Sequence, residues 1–260
     1  MDLICVEQKD AIATVVFNRP DMRNAISLAM WQEIARVTEA VGKDPGVRAV
    51  VYRGAGVEAF ASGADISEFK AVRKDTATAQ AYGRETEAAY LAIRQCPKPT
   101  AAMIYGFCMG GGMALAMSCD LRFAAEGARF GIPAGRLGII YAAVSIRQLV
   151  DLVGPSYAKD ILFSARTLEA QEALAISFIN RLLPAQELEA YTYDYLKKVA
   201  ENAPLSVHGS KVIIEAILED GAVGQRERIR QLTLEAFESQ DYKEGTRAFL
   251  EKRPPRFEGR

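Results

Sequence analysis

Histidine is almost absent: His208 stands alone among 260 residues. One histidine far along the chain argues against a serine or cysteine nucleophile activated by an imidazole base. It argues equally against a zinc site built on histidines. Cysteine is scarce as well. Cys5, Cys96, Cys108 and Cys119 are widely spread and form no C-x-x-C pair. They read as reduced thiols in a reducing compartment, not as a disulfide framework. An excess of one charge is also missing. With 32 Lys and Arg against 33 Asp and Glu, the formal net charge is −1. No global basic field draws in nucleic acid or an acidic membrane. No apolar run is long enough to span a bilayer. No secretory leader is expected, because Met1–Glu7 passes straight into strand-like alternation. Internal repeats and low-complexity segments are lacking too. These absences predict a cytoplasmic protein with neither nucleic-acid nor membrane partner, and no metal centre.

What is present is ordinary for a globular chain: 50% hydrophobic and 25% charged residues, with 20 Gly and 10 Pro. That length buries a sizeable core. Residues 3–8 and 11–17 alternate as two strands joined at Lys9-Asp10, a hairpin pattern. Ser27 is placed as the N-cap of a helix running to about Val41, with Leu28, Trp31, Ile34, Ala35 and Thr38 at helical spacing. Asp44-Pro45-Gly46 ends it. Val47–Tyr52 reads as a buried strand and Arg53–Asp65 as a loop rich in Gly and Ala. A helix is predicted over about 76–95 and stops at Pro97 and Pro99. Thr100–Ile104 is another short strand, followed by Gly106–Gly112, a small apolar helix at Met113–Met117 and a strand at Asp120–Ala125. This alternation points to stacked right-handed crossovers in an α/β core. From about Ser145 the pattern is almost wholly helical, with breaks at Gly154-Pro155, Pro184, Pro204 and Gly221.

Three segments carry chemistry. Gly54-Ala55-Gly56-Val57-Glu58-Ala59 loosely fits a dinucleotide fingerprint, but no helix opens after it, so it reads as a connecting loop. Gly106-Phe107-Cys108-Met109-Gly110-Gly111-Gly112 lacks the G-K-[ST] ending of a phosphate loop. Three consecutive glycines between a strand and a helix let backbone approach a ligand closely. The helix that follows aims unpaired N–H groups and a positive dipole end there, which suits an anion or a developing oxyanion. Tight helix–strand packing is the plainer explanation of the same glycines. Phe60-Ala61-Ser62-Gly63-Ala64-Asp65-Ile66 is a second small-residue loop able to point N–H groups into a cleft.

The two small-residue loops together resemble the paired signatures of the crotonase family, the enoyl-CoA hydratase/isomerase group. Phe17-Asn18-Arg19-Pro20 with Asn24-Ala25, then Ser118-Cys119-Asp120-Leu121-Arg122, then Phe249-Leu250-Glu251-Lys252-Arg253, resemble further family segments in the right order. The resemblance implies a β-β-α spiral core over residues 1–200 and a helical trimerisation region over 201–260. It implies a homotrimer or a dimer of trimers, an acyl-CoA substrate, and no cofactor beyond the CoA moiety. Ala64 and Gly111 match the pair whose backbone N–H groups form the oxyanion hole. Arg23, Ala25, Ala61, Gly63, Asp65, Ile66, Phe107, Gly110, Pro133 and Ala134 match the loops that hold CoA and the acyl group. Lys252, from a neighbouring subunit, matches a CoA-phosphate contact.

The chain departs from the family pattern at two places. Hydratases of this family use two glutamates, and here those positions are Ala114 and Ala134. Neither methyl can move a proton. Tyr141 resembles the tyrosine of the methylmalonyl-CoA decarboxylase branch, as does Asp241-Tyr242-Lys243-Glu244-Gly245, although that branch has His where this chain has Ala64. Tyr141 is thus the candidate proton donor. Glu68, Arg136 and Ser145 are further polar candidates. The expected function is enolate chemistry on an acyl-CoA thioester with a rearranged acid/base set. The alternatives are decarboxylation of a malonyl-type CoA and a catalytically silent CoA-binding or scaffold protein.

Overall fold

Parallel strands covered on both faces read as near-continuous apolar runs, and residues 49–52 and 101–104 are two such runs, buried throughout. The computed structural model describes residues 2–220 and 223–260, so Gly221, an expected break, lies outside the described residues. In chain order the elements are β1 (Ile4–Lys9), β2 (Ile12–Phe17), α1 (Leu28–Lys43), β3 (Ala49–Gly54), β4 (Ala59–Ala61), α2 (Phe69–Val72) and α3 (Thr76–Arg94). Then come β5 (Thr100–Ile104), β6 (Phe107–Met109), α4 (Gly111–Ser118), β7 (Leu121–Ala125), β8 (Arg129–Gly131) and α5 (Ala143–Ser164). The last third holds β9 (Leu168–Glu169), α6 (Ala170–Ala175), β10 (Arg181–Leu183), α7 (Ala185–Ala200), α8 (Pro204–Asp220), α9 (Arg226–Glu238) and α10 (Gln240–Glu251).

The large sheet runs β1-β2-β3-β5-β7-β10. β1 and β2 form the antiparallel hairpin, and the later neighbours are parallel. The small sheet runs β4-β6-β8-β9. Each turn of the chain lays one strand in the large sheet, the next in the small sheet, and then a helix: β3-β4-α3, β5-β6-α4, β7-β8-α5. This is the expected β-β-α spiral. One apolar cluster fills the space between the sheets, α1, α3 and α4. Another lies on the far face of the large sheet beneath α7, where Phe123 meets Tyr191 and Tyr195 edge-on.

The short strands are the main departure from the sequence expectations. β4 lies inside the stretch read as a loop, β6 inside the glycine segment, and β9 and β10 inside the stretch read as helical. Strands of two or three residues are too short to display a period of two, so pairing alone defines them. Elsewhere local chemistry decides. The Ser27 hydroxyl accepts the Met30 N–H at 3.3 Å and caps α1. Trp31, Ile34, Val37, Thr38 and Val41 then face the core. α4 is apolar all round because it is central: Gly112 through Ser118 are all buried. At the chain end, Asp241 accepts the Glu258 and Gly259 N–H groups, and Arg253 pairs with Glu244 at 2.6 Å. These contacts fold the tail back on α10.

Candidate functional site

The glycine triplet does three different things. Gly110 has φ 50° and ψ −119°, a conformation a side chain strongly disfavours. Its N–H donates to the Gly131 carbonyl at 2.7 Å, tying the loop to β8. A Cβ on Gly111 would stand 3.0 Å from the Trp31 ring and 3.5 Å from the Ala64 nitrogen. A Cβ on Gly112 would stand 2.4 Å from the Ala61 carbonyl oxygen. Packing therefore accounts for Gly112, backbone conformation for Gly110, and proximity to Trp31 and Ala64 for Gly111.

The second loop meets the first here. The Ile26 N–H donates to the Gly63 carbonyl at 2.8 Å, and the Asp65 N–H donates to the Ile26 carbonyl at 2.9 Å. In such a parallel bridge the residue between, Ala64, turns its own N–H to the opposite side. Among the described residues, neither the Ala64 N–H nor the Gly111 N–H has a backbone acceptor. Both residues line one cavity of about 550 Å³.

That cavity gathers eight of the residues singled out from sequence. Gly63, Ala64 and Ile66 come from the loop after β4, and Gly110 and Gly111 from the start of α4. Pro133, Ala134 and Tyr141 come from the segment between β8 and α5. The Tyr141 hydroxyl donates to the Gly110 carbonyl at 2.8 Å, and burial pushes its pKa well above the ordinary tyrosine value. Ser145, one of the further candidates, also lines the wall; it is buried, and its hydroxyl has no partner among the described residues.

Other expected site residues lie outside the cavity wall. The Arg23 side chain pairs with Glu58 at 2.7 Å and stacks over the Phe107 ring. Ala25 is buried, and its carbonyl accepts a bond from Arg19. Ala61 is buried in β4. The Asp65 carboxylate is engaged internally, by the Ser67 hydroxyl at 2.6 Å and the Arg19 guanidinium at 2.9 Å. The Ser67 hydrogen bonds and Arg19 hold its pKa below the usual carboxylate value, against the opposing effect of burial. Lys252 caps α10 in a left-handed conformation. Ala114 is fully buried inside α4, whereas Ala134 borders the cavity. Glu68 accepts the Leu28 N–H at 2.8 Å, Arg136 is exposed, and His208 bonds the Pro97 carbonyl.

Sequence reasoning missed the aromatic and charged groups of the opposite wall. Trp31, Phe69, Tyr82 and Tyr90 line it, and the Trp31 Nε1–H donates to the Tyr82 hydroxyl at 2.8 Å. Arg73, Arg84 and Glu87 border the same cavity. Arg73 follows Lys70 and precedes Lys74 in a polar stretch that reads as a solvated face, so nothing in the sequence marked it. Trp31 was legible only as a core position of α1.

Comparison with known proteins places this geometry. The family model for enoyl-CoA hydratase/isomerase matches residues 7–260. A short-chain-enoyl-CoA hydratase of Clostridium acetobutylicum is 33% identical over 250 residues, covering 96% of this chain and 95% of the relative. A putative enoyl-CoA hydratase of Thermus thermophilus is 37% identical, covering 96% and 98%. The crystal structure of an enoyl-CoA hydratase/carnithine racemase from Magnetospirillum magneticum superposes with a TM-score of 0.95 at 36% identity, covering 100% and 97%. The spiral of paired strands, the two loops that meet at Ala64 and Gly111, and these full-length likenesses agree: the chain belongs to the crotonase, or enoyl-CoA hydratase/isomerase, family.

Proposed function

We propose that this protein is an acyl-CoA enzyme that stabilises a thioester enolate between the Ala64 and Gly111 N–H groups. One observation carries the reading: two backbone donors without a backbone acceptor, from different loops, border a single cavity. A thioester acidifies its α-carbon, yet the enolate oxygen still bears a charge that needs partners. Two fixed N–H groups in a partly dry site meet that charge as it develops, and each is worth about 3–4 kcal/mol by analogy with oxyanion-hole deletions. The N-terminus of α4 adds its positive dipole end.

The Tyr141 hydroxyl acts on the same peptide unit. It donates to the Gly110 carbonyl, whose peptide partner is the Gly111 N–H. Such a bond fixes the peptide plane and polarises the N–H on its other side. The loop from Ala61 to Ile66 takes the CoA chain, and Lys252 of a second copy takes a CoA phosphate. The reading invokes no cofactor beyond CoA itself. It also assigns the contacts of a trimer, or a dimer of trimers, to the C-terminal helices.

Alanines at 114 and 134 leave the water-activating pair of a hydratase without its acid and base. They favour a second reading, in which a malonyl-type thioester reaches the same enolate by losing CO₂, without any base. There Tyr141 is the candidate proton donor. Incubation with a panel of enoyl-, 3-hydroxyacyl- and malonyl-type CoA esters, read by mass spectrometry, tests both. Conversion of an enoyl ester supports the first, loss of CO₂ the second. Binding with no conversion leaves a silent CoA-binding protein. No affinity for any ester up to millimolar concentration contradicts the acyl-CoA reading.

A further inference from the structure

We infer that the acyl group of the substrate carries a carboxylate at its far end and that Arg73 binds it. The inference rests on the acyl-CoA reading above and narrows it to a substrate class.

Arg73 is unlike the other partly buried arginines. Arg19, Arg94, Arg166 and Arg253 each pair with a carboxylate. The fully buried Arg122 donates to the carbonyls of Phe178 and Cys119. Arg73 lines the cavity, and its Nε is buried with no hydrogen-bond partner among the described residues. Its guanidinium carbon lies 4.2 Å from the Phe69 ring centroid and 4.5 Å from that of Tyr82. Two rings hold the cation by their faces, and its Nε–H stays open to a ligand. Glu68, a nearby acid, is engaged by the Leu28 N–H. Arg84 and Glu87 share the cavity but are exposed to solvent on α3.

A buried Nε–H left without a partner costs free energy, and a ligand carboxylate recovers it through the forked, paired contact that guanidinium favours. Side chains link the two ends of the site. Gly111 abuts Trp31, Trp31 bonds Tyr82, and Tyr82 underlies Arg73. A thioester carbonyl at Gly111 and a carboxylate at Arg73 would then lie at opposite ends of this relay of side chains, with the acyl chain between them. Phe69, Tyr90 and Ile139 give that acyl chain an apolar wall. A carboxylate held by Arg73 is stabilised as an anion, so it serves as a handle and is retained.

Calorimetric titration of the whole protein with glutaryl-CoA, pentanoyl-CoA and free CoA tests this. The first two differ mainly in the terminal carboxylate. Glutaryl-CoA is expected to bind at least about tenfold tighter than pentanoyl-CoA, as one charged hydrogen-bond pair predicts. Arg73→Leu is expected to shrink that gap below about twofold, and Arg73→Lys to keep part of it. Circular dichroism confirms the fold of both variants. Equal affinity for the two esters, or a preference that survives Arg73→Leu, overturns the inference. An equal loss of free-CoA affinity in Arg73→Leu also overturns it, assigning the guanidinium to a CoA phosphate. If neither ester binds while free CoA or another ester of the panel does, the inference alone falls; if nothing in the panel binds, the acyl-CoA reading falls with it.

Discussion

A methyl group added at position 111 and one added at 112 meet different neighbours, and the difference separates packing from chemistry. At 112 it collides with the Ala61 carbonyl at 2.4 Å, a backbone atom that cannot rotate away. Gly112→Ala is expected to lower stability by about 1–3 kcal/mol, read from its urea midpoint. At 111 it presses on the Trp31 ring at 3.0 Å and crowds the space beside the Ala64 nitrogen. Gly111→Ala is expected to cut turnover by about 100-fold or more while shifting the urea midpoint less than Gly112→Ala. Tyr141→Phe removes the bond to the Gly110 carbonyl. A loss of about tenfold in turnover is expected, the scale of one neutral hydrogen bond, with CoA affinity unchanged. Unchanged turnover would remove Tyr141 from the mechanism. Asp65 has a distinct pH signature. Its folded pKa is depressed chiefly by the Ser67 hydrogen bonds and by Arg19, so its stabilisation is full above the ordinary carboxylate pKa and fades as pH falls through the depressed one. Asp65→Asn should therefore be less stable than the parent at pH 7, and the gap in urea midpoint should close in acid.

At the scale of elements, caps and short strands behave differently. Ser27 marks the start of α1 by sequence alone and does so in the structure, its hydroxyl capping Met30. Ser27→Ala is expected to cost about 1 kcal/mol in chemical denaturation. The long elements were legible for the same kind of reason: α1, α3 and the β1–β2 hairpin carry periodicity, caps or a turn residue such as Asp10, whose φ is 54°. β4, β6 and β8 were not, since three residues carry no period and their identity comes from partners elsewhere in the chain. The candidate site divides along the same line. Small-residue loops drew attention to the two segments, and the resemblance to the crotonase family picked out Ala64 and Gly111 within them. Trp31, Tyr82 and Arg73 were not found, because α1, α2 and α3 bring them together only in three dimensions.

Over the whole molecule, the apolar residues left in solvent concentrate toward the C-terminal helices. Phe249 is 83% exposed and Leu250 76% exposed, on a groove of about 640 Å³ shared with Phe237 of α9. Contiguous exposed apolar surface of this kind marks contact sites. Under the proposed trimer, sedimentation velocity should find an assembly in the parent protein and a smaller species in Phe249→Asp. A monomeric parent would contradict the assembly. No helix among the described residues is long and apolar enough to cross a membrane. The central claim concerns a carbonyl oxygen placed between two main-chain amides, and vibrational spectroscopy observes that bond itself. The C=O stretch of a carbonyl-labelled acyl-CoA should shift to lower frequency on binding, relative to the ester in water, and the shift should shrink in Gly111→Ala. A bound thioester whose carbonyl frequency stays at its solution value would contradict the account.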